Sequence, residues 1–404
     1  MKIMKKIYSI ILATLIISAE LFSQNTWTAK ANIGGFSRES AVGFSVNGKG
    51  YVCCGRSGTS TYLTDLWEYD PTLDTWTQKL SYPGTGSFNP TAFVIGNLAY
   101  VGLGASPTTQ TDWWEYNPAT NTWASKAPFP GVARYGAGGF SIGTKGYVVG
   151  GTAGGPPYLS DMWAYDQATN TWSACTAFTG GSRNHPACFS YNGKGYVGTG
   201  SSGTSTGTND MWEYDPTLNA WTAKMSFVGT ARRSTMYFGL NNLLFVCAGL
   251  DGSGIVMQDL WEYNAQTNVW TNRLSFPGTS RWEGIGFSLN GYGYAGGGAD
   301  ASLATSYNDF WQYAPINVGI EESILDIVVN LYPNPVIDGC TISLSKEIND
   351  GVLTVYDVKG ALVKAVSFEG KEIKFQKGNF ESGNYFYSIA SKRTKIASGK
   401  FSIK

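Results

Sequence analysis

The chain has 404 residues, with 29 basic and 29 acidic side chains that leave a formal charge of zero. That balance excludes a broad nucleic-acid footprint or a general attraction to anionic membranes. Aromatic residues at 14 %, charged residues at 14 % and 51 glycines describe a β-rich, turn-rich globular chain with room for about two or three domains.

Residues 1–23 read as an export signal. Lys2, Lys5 and Lys6 form a basic start, 8–18 is an apolar run too short to span a bilayer, and Ser23 follows Leu21 at a cleavage point. No later stretch is long and apolar enough to cross a membrane, so the mature chain is expected to lack a transmembrane segment.

Two aromatic ladders then run through the chain. An Asp-x-Trp step recurs at Asp65/Trp67, Asp112/Trp114, Asp161/Trp163, Asp210/Trp212, Asp259/Trp261 and Asp309/Trp311, at spacings of 47, 49, 49, 49 and 50 residues. Beside it stand Trp27, Trp76, Trp123, Trp172, Trp221 and Trp270. A fixed period of this length marks a repeat architecture in which each unit is completed by its neighbours. Within the unit 38–79, an apolar segment ends at Asn47-Gly48, a hairpin signal, and 50–55 is continuously apolar, as in a strand covered on both faces. Trp67 and Tyr69 then alternate with polar residues, Asp70-Pro71 opens a turn, and Thr75-Trp76-Thr77 is a last short strand. Four antiparallel strands with no helical period predict one propeller blade.

The order apolar run, diglycine, tyrosine-bearing strand, Asp-Pro turn and Trp resembles the kelch motif over residues 25–314, although the diglycine is intact only at Gly150-Gly151 and Gly296-Gly297. The two ladders are out of step by one strand. Trp27 precedes any Asp-x-Trp, and Trp311 has no partner Trp after it. The expected fold is therefore all-β: a six-bladed kelch-type propeller over 24–314, its last blade completed by the mature N-terminal strand, which removes the exposed sheet edges.

Eleven residues after each Trp of the second ladder stands an arginine: Arg38, Arg134, Arg183, Arg232 and Arg281, with Ser87 breaking the series. The residues that follow vary: Glu39, Phe88, Tyr135, Asn184, Arg233 and Trp282. Two readings follow. The arginines form a ring at the channel mouth that takes carboxylates, sulfates or phosphates, with Phe88, Tyr135 and Trp282 stacking on a sugar or peptide; or each belongs to the repeat and bonds loop carbonyls. His185 reads as a solvated or backbone-bonded loop residue. The glycine-rich stretches lack the lysine and helix of a phosphate cradle and read as turns. Of six cysteines, Cys53, Cys54 and Cys247 lie in buried-looking strands and Cys340 stands apart, leaving Cys175 with Cys188 as the one pair to consider for a bridge.

A single histidine excludes a copper site of the galactose-oxidase kind and other His or Cys metal clusters, and the sialidase box is absent, so no metal or cofactor is expected. N-acetylneuraminate epimerase, a six-bladed kelch ring, is the nearest enzymatic alternative, with Arg38-Glu39 and Arg281 with Glu283 near one mouth and the Asp251 and Asp300 loops alongside. Blades of nearly uniform length carry no insertion to shield a reaction, so catalysis is not the favoured reading.

After a linker at 315–327, composition shifts: Trp vanishes and Lys becomes common. Five alternating segments over 328–404 predict a small β-sandwich. Tyr332-Pro333-Asn334-Pro335, the stretch from Val355 to Gly360, Gly383-Asn384-Tyr385 and the terminal Gly399-Lys400-Phe401 resemble the C-terminal sorting domain of the type IX secretion system of Bacteroidetes. That resemblance implies the secretion machinery as a partner and a secreted or outer-membrane-surface location. The leading functional expectation is a monomeric binding or adhesion module for an unknown glycan or protein ligand, with a sugar-acid mutarotase or a structural surface-layer protein as alternatives.

Overall fold

A computed structural model describes residues 25–203, 206–315, 329–358, 361–391 and 394–404. The expected export signal, most of the expected linker and Gly360 lie outside the described residues. Every regular element among the described residues is a β-strand, and no helix is long and apolar enough to cross a membrane. The chain divides into two compact units between Ile316 and Asn317.

The first unit contains six antiparallel sheets, each with four main strands. In the first blade, Val42–Val46, Lys49–Cys53, Leu66–Asp70 and Thr75–Lys79 pair in chain order. Asn47 and Gly48 both take left-handed φ angles, 52° and 72°, which a two-residue hairpin turn of this twist requires. The second strand is buried because neighbouring blades cover both its faces: Tyr51, Val52 and Cys53 are at most 1 % exposed. The glycine at the second position of this strand in four blades has a packing reason. A Cβ at Gly50, Gly146, Gly195 or Gly293 would lie 2.1–2.5 Å from Phe287, Phe93, Phe140 or Phe238 of the preceding blade.

Both tryptophan ladders are stitching. The second-ladder Trp faces the blade's Tyr across the outer strand pair, with ring centroids 4.9–5.0 Å apart at Tyr69–Trp76, Tyr116–Trp123, Tyr165–Trp172, Tyr214–Trp221 and Tyr263–Trp270. Its indole N–H reaches back to the linker of the preceding blade, as Trp172 does to the Ala127 carbonyl at 3.0 Å. The turn residue between them, Asp74, Asn121, Asn170, Asn219 or Asn268, accepts from the Tyr hydroxyl and from a backbone N–H of the same preceding linker.

The ring closes as the ladder offset predicts. Thr26–Lys30 pairs antiparallel with Phe310–Ala314, placing Trp27 opposite Tyr313 with centroids 5.0 Å apart and its indole on the Leu274 carbonyl at 3.0 Å. The final blade thus repeats the contacts of the other five, with one difference at the seam: the Tyr313 hydroxyl is buried without a partner. Inside the ring, Ser40, Asn89, Gly136, His185, Ser234 and Glu283 all have φ between 50° and 65°. The backbone N–H of each donates to the carbonyl of the one before it at 2.8–3.3 Å, and Ser40 closes the circuit on Glu283.

The second unit packs on one core that includes Val336, Ile342, Leu353, Val355, Ile373, Phe375, Ile389 and Phe401. Where the sequence suggests separate strands for 341–345 and 352–358, the structure has one 18-residue strand, Gly339–Tyr356. It pairs with the equally continuous Leu362–Gln376 through register shifts between Ser343 and Gly351. The polar run 346–350 and the left-handed Asp350 are absorbed as bulges rather than forming a turn.

A chain that begins after Lys30 loses the closing strand and exposes the Phe310–Ala314 edge; its Tm is expected to fall by 10 °C or more (about 2–4 °C per kcal/mol at this size). An unchanged melting curve would contradict closure by this strand.

Candidate functional site

The five arginines are not a free anion-binding ring. Each is at most 1 % exposed, and each grips the Asp of its own blade's Asp-x-Trp step with two guanidinium nitrogens: Arg38 with Asp65, Arg134 with Asp161, Arg183 with Asp210, Arg232 with Asp259 and Arg281 with Asp309, at 2.5–2.9 Å. The same guanidinium donates to the backbone carbonyl of Cys54, Gly150, Thr199, Ala248 or Gly297. The second Asp oxygen also accepts the indole N–H of Trp67, Trp163, Trp212, Trp261 or Trp311. Four of the guanidinium groups lie 4.7–5.0 Å over Phe129, Phe178, Phe227 and Phe276. The expectation of anion-binding arginines at 38, 134, 183, 232 and 281 is therefore corrected: a buried charge needs its partner inside the fold, and every one of these has it.

The break at Ser87 follows the same logic. Five residues before it stands Tyr82 where later blades have Phe, and its hydroxyl donates to Asp112 at 2.8 Å in place of the missing guanidinium, beside Trp114 at 2.9 Å. Burial raises the carboxyl pKa of Asp65, Asp161, Asp210 and Asp259, but the arginine hydrogen bonds and charge and the indole donor outweigh it and hold all four below the usual range.

The residues next to the arginines behave differently. Phe88, Tyr135 and Trp282 are half-buried, and an arc runs from Tyr62 to Phe88 (5.9 Å), Tyr135 (5.0 Å) and His185 (6.4 Å) across successive blades. Arg56 lies 5.2 Å over Phe88 and Arg233 5.6 Å over Trp282. The His185 side chain, expected to be solvated or backbone-bonded, lines the central cavity with neither ring nitrogen partnered. Burial, reinforced by the Arg233 charge, lowers its pKa to about 4, so the imidazole is neutral at ordinary pH.

Opposite His185 is a carboxyl pair. Glu39 and Glu283, 1 % and 9 % exposed, both meet the Ser40 hydroxyl, which lies 2.8 Å from Glu39 Oε2; Arg56 Nε donates to Glu39 Oε1 at 2.6 Å. Burial and the Glu283 carboxyl beside it push the Glu39 pKa up to about 8. The central cavity, 320 Å³, is lined at this end by Ser40, Asn89, Gly136, His185, Ser234 and Glu283. That is the low end of the size range for small-molecule sites. Among the described residues no group of three or more His, Cys, Asp or Glu is placed to hold a metal. All six cysteines are unbridged, so Cys175 and Cys188 do not form the suggested pair.

Replacing Asp210 with Ala leaves the Arg183 charge buried and uncompensated, with an expected loss of about 3–5 kcal/mol in denaturant unfolding. Tyr82→Phe removes one donor from Asp112 and is expected to cost about 1–3 kcal/mol. The depressed aspartates contribute stability above the unfolded carboxylate pKa of roughly 4, which is lost as pH falls through their folded values. A stability flat from neutral pH down to about pH 2 would contradict the ion-pair account.

Comparison with known proteins agrees with this geometry. Residues 133–179 match the kelch motif, and residues 330–404 match the secretion system C-terminal sorting domain. The chain is similar to the solved structure of YjhT at 18 % identity and TM-score 0.59, over 69 % of this chain and 95 % of that one, a likeness of fold. It is also 35 % identical over 85 residues to an endo-acting ulvan lyase of Formosa agariphila, covering 21 % of this chain and 16 % of that protein, so the chain spans about a sixth of that relative's length. The sorting domain marks export to the cell surface or the extracellular space through the type IX machinery. The chain is thus a kelch-repeat β-propeller with a C-terminal type IX sorting domain.

Proposed function

We propose that the exported ring is a binding module whose ligand, a glycan or a protein, is held at the mouth of the central channel. One observation carries this reading. The braced arginine positions repeat, whereas the residues after them vary from blade to blade, and those two positions on, Ser40, Asn89, Gly136, His185, Ser234 and Glu283, line a single cavity. A constant frame with varied neighbours at one end of a rigid scaffold is the arrangement expected of a recognition surface. Phe88, Tyr135 and Trp282 supply half-exposed ring faces for stacking on a sugar or a peptide side chain.

Acid–base chemistry on a sugar acid is the second reading, favoured by the raised Glu39 pKa, which places a carboxylic acid near neutral pH beside Glu283. Anomer interconversion followed by NMR, present in the wild type and lost in Glu283→Ala, is the result it requires.

On an array of glycans, Tyr135→Ala and Trp282→Ala are expected to weaken binding about tenfold each or more, equivalent to about 1.4 kcal/mol, with Tm unchanged. Binding that survives both substitutions would place the ligand elsewhere. Deleting residues 330–404 is expected to leave a folded ring in the periplasm; normal appearance outside the cell would contradict the role of the tail.

A further inference from the structure

We propose that the channel mouth contains a saccharide subsite in which the Glu39–Ser40–Glu283 group, with Ser234 and His185, holds the hydroxyl groups of one sugar ring. This rests on the binding reading above and narrows it from glycan or protein to glycan.

Proton counting comes first. The Ser40 hydroxyl carries one hydrogen yet contacts an oxygen of each carboxyl group. It can donate to only one of them, so both contacts are hydrogen bonds when the other carboxyl carries a proton and donates to the Ser40 oxygen. Arg56 satisfies Glu39 Oε1, which leaves Oε2 as the atom on the serine. The group is therefore an acid, a hydroxyl and a carboxylate in series, its two hydrogens used internally and its remaining lone pairs available as acceptors. The elevated Glu39 pKa agrees with this arrangement, its causes being burial and the neighbouring carboxyl.

Orphaned polar atoms provide an independent second observation. Ser234, 6 % exposed, lines the same cavity and follows His185 in the circuit of left-handed residues, yet its hydroxyl oxygen has no partner. Thr235 Oγ1, also on the cavity wall, and both nitrogens of His185 are in the same condition. Buried polar groups are normally paired, so a cluster of unpaired ones around one cavity calls for a polar occupant.

Chemistry then selects the class. The unpartnered imidazole N–H and the Ser234 and Thr235 hydroxyls supply donors, while the carboxylate and the second imidazole nitrogen supply acceptors, a mixture that matches a polyol. The half-exposed Tyr135 and Trp282 lie beside the group, since Tyr135 contacts His185 and Trp282 directly precedes Glu283. They supply the apolar faces on which a sugar ring stacks.

The proposal carries a pH dependence. The charged and titratable groups around Glu39 are Glu283, Arg56, His185 and Arg233, with Tyr135 near Glu283. Of these, Glu39 has its pKa pushed up to about 8, and loss of its proton puts two carboxylates against one hydroxyl.

The test is calorimetric titration of the full-length protein with methyl glycosides of a hexose, an N-acetylhexosamine and a hexuronic acid, near pH 7 and near pH 9.5. At least one probe is expected to bind at the lower pH, and its affinity to fall about tenfold or more at the higher. Glu39→Gln, which keeps a donor that cannot ionise, is expected to flatten that dependence, and Ser234→Ala to weaken binding severalfold at both. If none of the probes binds, the subsite is wrong. If binding is lost in Trp282→Ala but is independent of pH and of Ser234, the ligand sits on the rim: the binding reading survives and this inference does not.

Discussion

The ring depends on one carboxylate per blade. In five blades Asp65 or its counterpart takes two hydrogen bonds from a buried arginine 27 or 28 residues earlier and one from the indole two residues later, so that a half-buried carboxylate ties blade entry to third strand. The guanidinium of each pair is buried, so separating the pair leaves an unsatisfied ion inside the fold. Ser87 and Tyr82 show that the constraint lies on the carboxylate: where the arginine is missing, a phenol donates to Asp112. With the entry loops pinned this way, the six left-handed residues beyond them are held in register and close their circuit of backbone hydrogen bonds around the channel.

Much of this fold was legible in the sequence because its signals are periodic. The offset between the ladders located the closing strand, and Trp27 makes the same ring contact and carbonyl bond as Trp76 or Trp172. The arginines were harder. Their spacing admitted two readings, and the decisive clue, that Arg and Asp recur in step and that the one blade without Arg has Tyr82 where the others have Phe or Ile33, lies in comparing blades rather than in any motif. His185 differs from its expectation because a lone histidine in a loop reads as a solvated or backbone-bonded one. Its register with Ser40, Asn89, Gly136, Ser234 and Glu283, two residues beyond each arginine position, was the available signal. In the tail, the polar stretch 346–350 reads as a break, but long strands accommodate such residues in bulges.

Function follows from what the frame leaves over. Side chains that repeat are consumed in holding the blades, while among those that vary Glu283, His185 and the orphaned hydroxyls of Ser234 and Thr235 line one cavity. The sorting domain takes that surface out of the cell, to where glycans and other proteins are met. On the proposed reading, scaffold and address are separate from recognition.

The central claim, that the repeated arginines brace the blades and leave ligand contact to their neighbours, is tested most directly by NMR of the arginine side chains. Five guanidinium groups with hindered rotation and slowly exchanging protons, unmoved by added sulfate or phosphate, are the predicted result. Freely rotating guanidinium groups at these five positions, or shifts that saturate on adding either anion, would contradict it.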